Sequence, residues 1–370
     1  MFPSSGPATP RLPAGRLQRP LLASHELNIA LCVPLGGFAG IWAPSALACA
    51  KLAVSELNRE AGLGGRACRL LTVNAADDAA DIEATLTELV QAGDIDAIVG
   101  MHTSAVRHRI LRAVGGRIPI VYTPLYEGGE ASPGVFAIGE TAERQLRPAI
   151  RWLGERQRPR RWYAVGNDYV WPRMSHRIAR TCIAETGAEL VGESYVPFET
   201  TDFSAVLDAV RKARADAVLV SLVGQDSIEF NRAFGRAGLH RHMLRLTCGA
   251  GENELLGFGA DNAEEFYAAC GYFATLDTDA NLAFKARYRA HFGERAPTLS
   301  THGQSTYEGM HFLAALLDRG ECTGRSRATS VGTIAYRSAR DAAFEAGEPS
   351  GVPIYLARAE GNAFRVLTRL

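Results

Sequence analysis

The chain has 370 residues, 47% hydrophobic and 22% charged, with 40 basic residues balancing 40 acidic ones. That composition excludes a mostly disordered, collagenous or coiled-coil chain, and a net charge of zero argues against nucleic acid as the main ligand, because phosphate contacts call for a basic excess. No run reaches the ~18 consecutive apolar residues of a membrane span, and at roughly 150 residues per domain the length predicts about two domains.

Residues 1–26 alternate arginine and proline and contain no apolar core of a secretory signal. We read them as a mobile leader and expect a cytoplasmic chain. The alternative is a periplasmic or lipid-anchored protein whose true start lies upstream.

Leu27–Leu35 is a buried-strand pattern, followed by a Gly-rich loop. Ala46–Glu60 places Leu47, Ala50, Val54 and Leu57 at helical spacing. Strands follow at Cys68–Asn74, Ala97–Gly100 and Ile118–Thr123, separated by helices at Asp81–Gln91 and Ser104–Val114. This alternation predicts βαβ units with a parallel sheet covered on both faces. The pattern then restarts. Helices are expected at Arg144–Glu155, Met174–Thr186, Phe203–Ala213 and Ser227–Ala237, and strands at Trp162–Gly166, Glu189–Val196, Ala217–Leu222, Leu244–Thr247 and Phe266–Tyr272. Asp96–Gly100 and Asp216–Val220 echo each other, each after an amphipathic helix. Helical patterns return at Thr278–Phe292 and Thr306–Arg319, and a strand pair closes the chain around Glu360-Gly361-Asn362. The expected class is α/β, with two Rossmann-like lobes and parallel central sheets.

Cysteine, lysine and glycine narrow the chemistry. The seven cysteines form no Cys-x-x-Cys and most sit in apolar surroundings, so they read as small buried hydrophobes. Gly36-Gly37-Phe38-Ala39-Gly40 is out of register for a dinucleotide fingerprint, and no P-loop, His-Glu-x-x-His or Gly-x-Ser-x-Gly is present. Lysine occurs only at 51, 212 and 285, inside helical patterns. No nucleophile–base pair or metal-spaced cluster is visible, so neither catalysis, nor a cofactor, nor a metal is expected.

Ligands of two-lobed α/β proteins bind at the carboxyl ends of the strands. There the third strand runs into His102-Thr103-Ser104 before a helix. The hydroxyls of Thr103 and Ser104 hydrogen-bond a ligand, or Ser104 caps the helix, or both. His102 is a ligand group or a packing histidine. The fourth strand ends in Tyr122-Thr123-Pro124, which offers an aromatic wall and hydroxyls. In the second half, Gly166–Pro172 carries Tyr169 and Trp171 two apart, which points them the same way in an extended segment. Asp168 reads as an orienting group, and Gln225 and Thr247 end later strands.

Several segments carry a family likeness: Asn28–Leu31, Ala53–Arg66 and Asp96–Gly100, then Tyr126-Glu127-Gly128, Gly166–Arg173 and Lys212–Val218, with Val223-Gly224 beyond. From Leu27 onward the chain resembles the type I periplasmic-binding-protein fold, in its branched-chain amino acid, urea and amide-binding branch. Among these it is most similar to the cytoplasmic amide sensors that restrain amidase operons. The resemblance implies two discontinuous lobes joined by a three-crossing hinge, 27–141 plus 273–337 and 142–272 plus 338–370. It implies a small neutral amide near Ser104, Tyr122, Tyr169 and Trp171, with Thr123, Pro124 and Thr247 close by. His102 and Trp171 stand where the amide sensors carry tyrosines, which points away from acetamide itself. In the sensor reading the partner is an RNA-binding antiterminator and a homodimer is open. In the alternative the protein hands urea, short-chain amides or branched-chain amino acids to an ABC permease. If His102 meets the ligand as neutral imidazole, affinity is expected to fall below pH of about 6.5.

Overall fold

The computed structural model describes residues 26–76, 81–320, 324–344 and 352–370. Residues 1–25 of the expected leader and Cys322 lie outside the described residues, and Glu26 already belongs to a strand.

The first half builds β1 (Glu26–Val33), α1 (Ala43–Glu60), β2 (Ala67–Asn74), α2 (Ile82–Ala92), β3 (Ala97–Gly100), α3 (Ser104–Val114), β4 (Ile120–Tyr122) and β5 (Val135–Ala137). Its five strands form a wholly parallel sheet in the order β2-β1-β3-β4-β5. Side chains alternate across a strand, and β1 shows the consequence. Ile29, Leu31 and Val33 face the core shared with α1, whereas Ala30 and Cys32 face Ile82 and Leu86 of α2 and Val106 and Ile110 of α3.

The second half builds α4 (Ala142–Arg156), β6 (Arg161–Asn167), α5 (Val170–Glu185), β7 (Glu189–Val196), α6 (Ser204–Lys212), β8 (Ala217–Ser221), α7 (Gly224–Arg236), β9 (Leu244–Thr247), α8 (Glu252–Phe258) and β10 (Phe266–Cys270). After it come α9 (Asp279–Phe292), α10 (Thr301–Asp318), β11 (Ile334–Ala335), β12 (Ala343–Phe344), β13 (Tyr355–Glu360) and β14 (Ala363–Arg369). The second sheet has the order β14-β13-β10-β9-β8-β6-β7. It is parallel except for the terminal hairpin, in which β13 runs antiparallel to both β10 and β14.

The chain therefore passes back and forth between the sheets. It leaves β5 for α4, returns from β10 to α9 and α10, and leaves again after β12 for β13. Helix α10 lies along α1 and is buried on nearly every side, with His302, Gln304, Thr306 and Glu308 inward as well as Phe312 and Leu313. Phe344 packs against Phe136 (6.5 Å) and Phe312 (5.0 Å), so the β11–β12 pair stays with the first sheet, past the expected boundary at residue 337.

A buried ion cluster ties these crossings together. Arg340 pairs with Glu140 from the first crossing and donates from Nε to Glu308 Oε2 of α10 (2.9 Å). Gly271, at the second crossing, passes so close that a Cβ there would sit 1.9 Å from Glu140 Oε1 and 2.2 Å from an Arg340 nitrogen. Burial pushes the Glu308 carboxyl up, and the Arg340 charge opposes that shift.

Candidate functional site

The carboxyl ends of the two sheets face one another across a cleft. Its first wall is the turn from β3 into α3. Thr103 is the N-cap, in extended conformation, and its Oγ1 accepts from Val106 N at 3.4 Å. The expectation that Ser104 caps this helix is thereby corrected. One position further in, the Ser104 hydroxyl is not needed as a cap and donates to Glu127 Oε2 at 2.6 Å. Tyr122, at the end of β4, stands 3.5 Å from Ser104 Oγ and donates its hydroxyl to His102 O at 2.9 Å.

His102 is buried against Tyr122, with ring centroids 5.2 Å apart. Its Nδ1 lies 3.1 Å from Thr103 O, and no hydrogen bond among the described residues joins the ring to the Ser104 or Thr103 hydroxyl. Burial pushes this imidazole down to about 4, and the nearby Arg107 charge adds to the shift. The ring is therefore neutral through the physiological range. Any loss of affinity that follows its charging moves from the expected 6.5 to about 4.

The second wall comes from the turn between β6 and α5. Tyr169 is the N-cap of α5 and Trp171 already belongs to its first turn. The extended segment expected here is absent. The two rings still meet, 6.3 Å apart at 37°, because a cap residue and a first-turn residue flank one helix end. Trp171 is 2% exposed and its Nε1 has no hydrogen-bond partner among the described residues. Asp168 accepts from Arg173 Nε at 2.8 Å on the surface, an orienting role.

His102, Thr103, Ser104, Tyr122, Pro124, Tyr169 and Trp171 all border one cavity of about 30 Å³. That volume holds about two water molecules, so a ligand of several heavy atoms needs the lobes further apart. Three expected residues lie elsewhere. Thr123 is buried behind the cleft and donates to Gly100 O at 3.1 Å. Thr247 is also buried, its Oγ1 accepting from Gly249 N at 3.2 Å, so it supports a lining residue without being one. The Gln225 side chain turns out to solvent on the first turn of α7 and bonds Glu229 at 2.8 Å.

Trp42, Met101, Leu125, Val223, Gly249 and His302 complete the lining and were not anticipated. Trp42 stacks on His302 at 4.5 Å and donates from Nε1 to Glu254 Oε1 at 2.7 Å across the cleft. An aromatic residue in the loop after the first strand was open to the argument made for Tyr122. His302 carried no local signal, since α10 brings it from far along the chain. Burial pushes its pKa down as well. The lining thus contains no carboxylate, lysine or arginine, and its imidazoles favour the neutral form.

Charge lies directly behind the first wall. Arg107, 3% exposed, pairs with Glu127 and approaches Glu130 Oε2 at 3.2 Å, with its guanidinium 4.8 Å from the Tyr122 ring centre. The lobes also touch beside the cleft. Gln225 N donates to Phe38 O at 2.8 Å, Asn253 Nδ2 donates to Ile41 O at 3.1 Å, and Phe38 stacks on Phe198 at 4.2 Å. Gly224 permits this approach, because a Cβ there would lie 2.2 Å from Phe38 O. A larger recess of about 490 Å³ on the outer side of the first lobe is lined by ion pairs, in which Glu56 accepts from Arg287 (2.9 Å) and Arg337 (3.1 Å) and also from the Tyr307 hydroxyl (2.6 Å).

Known structures share this architecture. An ABC transporter solute-binding protein from R. palustris in complex with benzoate is 16% identical, with a TM-score of 0.79 over 93% of this chain and 96% of that one. A branched-chain amino acid transporter substrate-binding protein from Streptococcus pneumoniae in complex with isoleucine is 17% identical, with a TM-score of 0.76 over 93% and 100%. An ABC transporter substrate-binding protein from Sphaerobacter thermophilus is 21% identical, with a TM-score of 0.76 over 93% and 98%. A sequence profile described as periplasmic binding protein matches residues 26–352, and with two lobes, parallel sheets and a cleft between them, the chain belongs to the periplasmic binding protein family.

Proposed function

We propose that this chain is a non-catalytic solute-binding protein that closes on a small molecule uncharged at pH 7 and delivers it to an ABC permease. The observation that carries the ligand class is the lining: two indoles, two phenols, two neutral imidazoles and hydroxyls, without a charged side chain. A buried charge without a partner is costly, so a zwitterion or an acid fits this cleft poorly. Moreover, the first turn of α3, which would favour an anion, already has the Glu127 carboxylate beside it. The transport role is supported by the solved structures of similar fold, which are solute- or substrate-binding proteins of transporters, two of them of ABC transporters. In this reading the protein works outside the cytoplasmic membrane, the alternative to the location expected from residues 1–26. The amide-sensor reading shares the ligand class but has no support of its own from these neighbours.

Thermal-shift and calorimetric titration with acetamide, benzamide, urea, benzoate and isoleucine test the reading. At ligand concentrations 100-fold above Kd a binder adds about 2.7 kcal/mol to the folded state. Amides are expected to stabilise more than the acid or the amino acid. Tighter binding of benzoate or isoleucine than of every neutral compound overturns the uncharged-ligand reading.

A further inference from the structure

We propose that Glu127, which does not line the cleft, fixes the direction of the Ser104 hydroxyl and thereby selects ligands that donate a hydrogen bond over ligands that only accept one. The proposal rests on the reading of Ser104 as a ligand contact.

A serine hydroxyl has one proton to give and two lone pairs to offer, and an ionised carboxylate can only accept. Ser104 is 2% exposed and sits 2.6 Å from Glu127 Oε2, within the range of a charge-assisted O–H···O bond. The carboxylate is held from its other side. Arg107, one turn along the same helix, donates to Glu127 Oε1, and Arg107 is itself steadied by Glu130 and the Tyr122 ring. The side chains of Arg107, Glu127 and Glu130 are 3%, 9% and 6% exposed, so solvent screens this cluster little. Turning the Ser104 proton into the cleft would break its bond to a charged group in a low-dielectric setting. What Ser104 presents to the cleft is therefore lone pairs. An amide or amine N–H, or an alcohol, meets that demand. A carboxylate finds lone pairs in front and a fixed negative charge behind.

Replacing Glu127 with glutamine removes the constraint, because an amide faces Ser104 as donor or as acceptor. The probes are benzamide and benzoate, nearly equal in shape, titrated calorimetrically into the wild type, Glu127→Gln, Ser104→Ala and the double variant. Glu127→Gln is expected to lower the ratio of the benzoate Kd to the benzamide Kd by about tenfold, the scale of one hydrogen bond to a charged group. In the Ser104→Ala background the same exchange should leave the ratio within about twofold. An equal shift in both backgrounds would mean that Glu127 acts through its charge alone, and no shift in either would overturn the proposal outright. Glu127→Asp keeps the charge but withdraws the carboxylate from Ser104. It should also lower the ratio, and it serves if the glutamine variant does not fold. A wild type that prefers benzoate defeats the uncharged-ligand reading, while the change in the ratio still decides the role of Glu127.

Discussion

Arg107 and Arg340 are both buried arginines held between two carboxylates, yet they sit in different kinds of place. Arg340 joins segments remote in sequence: Glu140 lies at the first crossing, Glu308 on α10, and Gly271 of the second crossing passes against the cluster. Arg107 joins neighbours, one helix turn and the loop between β4 and β5 that carries Glu127 and Glu130. The hinge cluster is sealed, with the Arg340 and Glu308 side chains at 0% exposure. The cleft cluster is open to function through one hydroxyl, that of Ser104. Similar chemistry thus clamps the hinge in one place and tunes a binding group in the other. A buried ion pair is weak evidence for net stability, but removing one partner is costly, since it strands the other.

That contrast predicts the largest effect at the hinge. Arg340→Met should cost about 3–5 kcal/mol, because it strands two buried acids. Arg107→Met should cost less, about 2 kcal/mol, since Glu127 and Glu130 are somewhat more exposed than Glu308 and water can reach them once their loop relaxes. Denaturant unfolding of both variants measures the difference, and equal losses would erase the distinction drawn here.

Glu252 sharpens the comparison, because it is a buried acid near the second crossing with no arginine on it. Its Oε1 accepts from Ala274 N at 2.6 Å and its Oε2 has no partner among the described residues. Burial pushes its pKa up, from 4.5 to about 7. A raised carboxyl holds its proton in the folded state after the unfolded chain has released it. Its stabilising contribution is therefore complete below about pH 4.5 and is lost as the pH rises through about 7. Between those limits the loss reaches at most about 3 kcal/mol. Glu252→Gln should remove this dependence, so the stability curves of variant and wild type should diverge above about pH 5. Parallel curves would show that burial does not raise this carboxyl in the folded protein.

On the cleft side the effects fall on binding. Trp171→Ala should weaken the preferred ligand by about 2 kcal/mol, as for a buried aromatic anchor, and Trp171 fluorescence should respond to that ligand in the wild type. Unchanged affinity would return the indole to the core. The smallest effect is expected from Trp42→Phe, which keeps an aromatic ring at this place but deletes the Nε1–Glu254 bond across the cleft. A loss of about 1 kcal/mol in affinity is the scale of one hydrogen bond. No loss would mean that this bond exists equally in the open form.

Much of this arrangement was legible from residue order. The bounds of α3 follow from Thr103 before it and Gly115, in left-handed conformation, after it. The fully buried runs of β3 and β8 stood out as apolar segments between helical ones. Short or glycine-flanked elements did not. β5 is three residues long, and α8 lies among Gly249, Gly251, Gly257 and Gly259, which read as loop. The first turn of α10 was missed because His302-Gly303-Gln304 lacks an apolar stripe. A helix buried on all sides has no polar face to create one. Within the site, strand-end residues could be found because topology places them there. Glu127 and His302 could not, since their roles depend on contacts that no periodicity encodes.

One last consequence concerns size. At one of the points where the lobes meet, Gln225 N reaches Phe38 O over a bare Gly224, so this part of the stop on which the jaws rest is main chain. Exchanging a lining side chain can reshape the space inside without moving that stop. Because the cleft closed on that stop holds only about two water molecules, a bound ligand of several heavy atoms keeps the jaws off it: the protein works as a caliper whose opening is set by its load, and a smaller side chain in place of Trp171 or His102 lets the same load sit at a narrower opening.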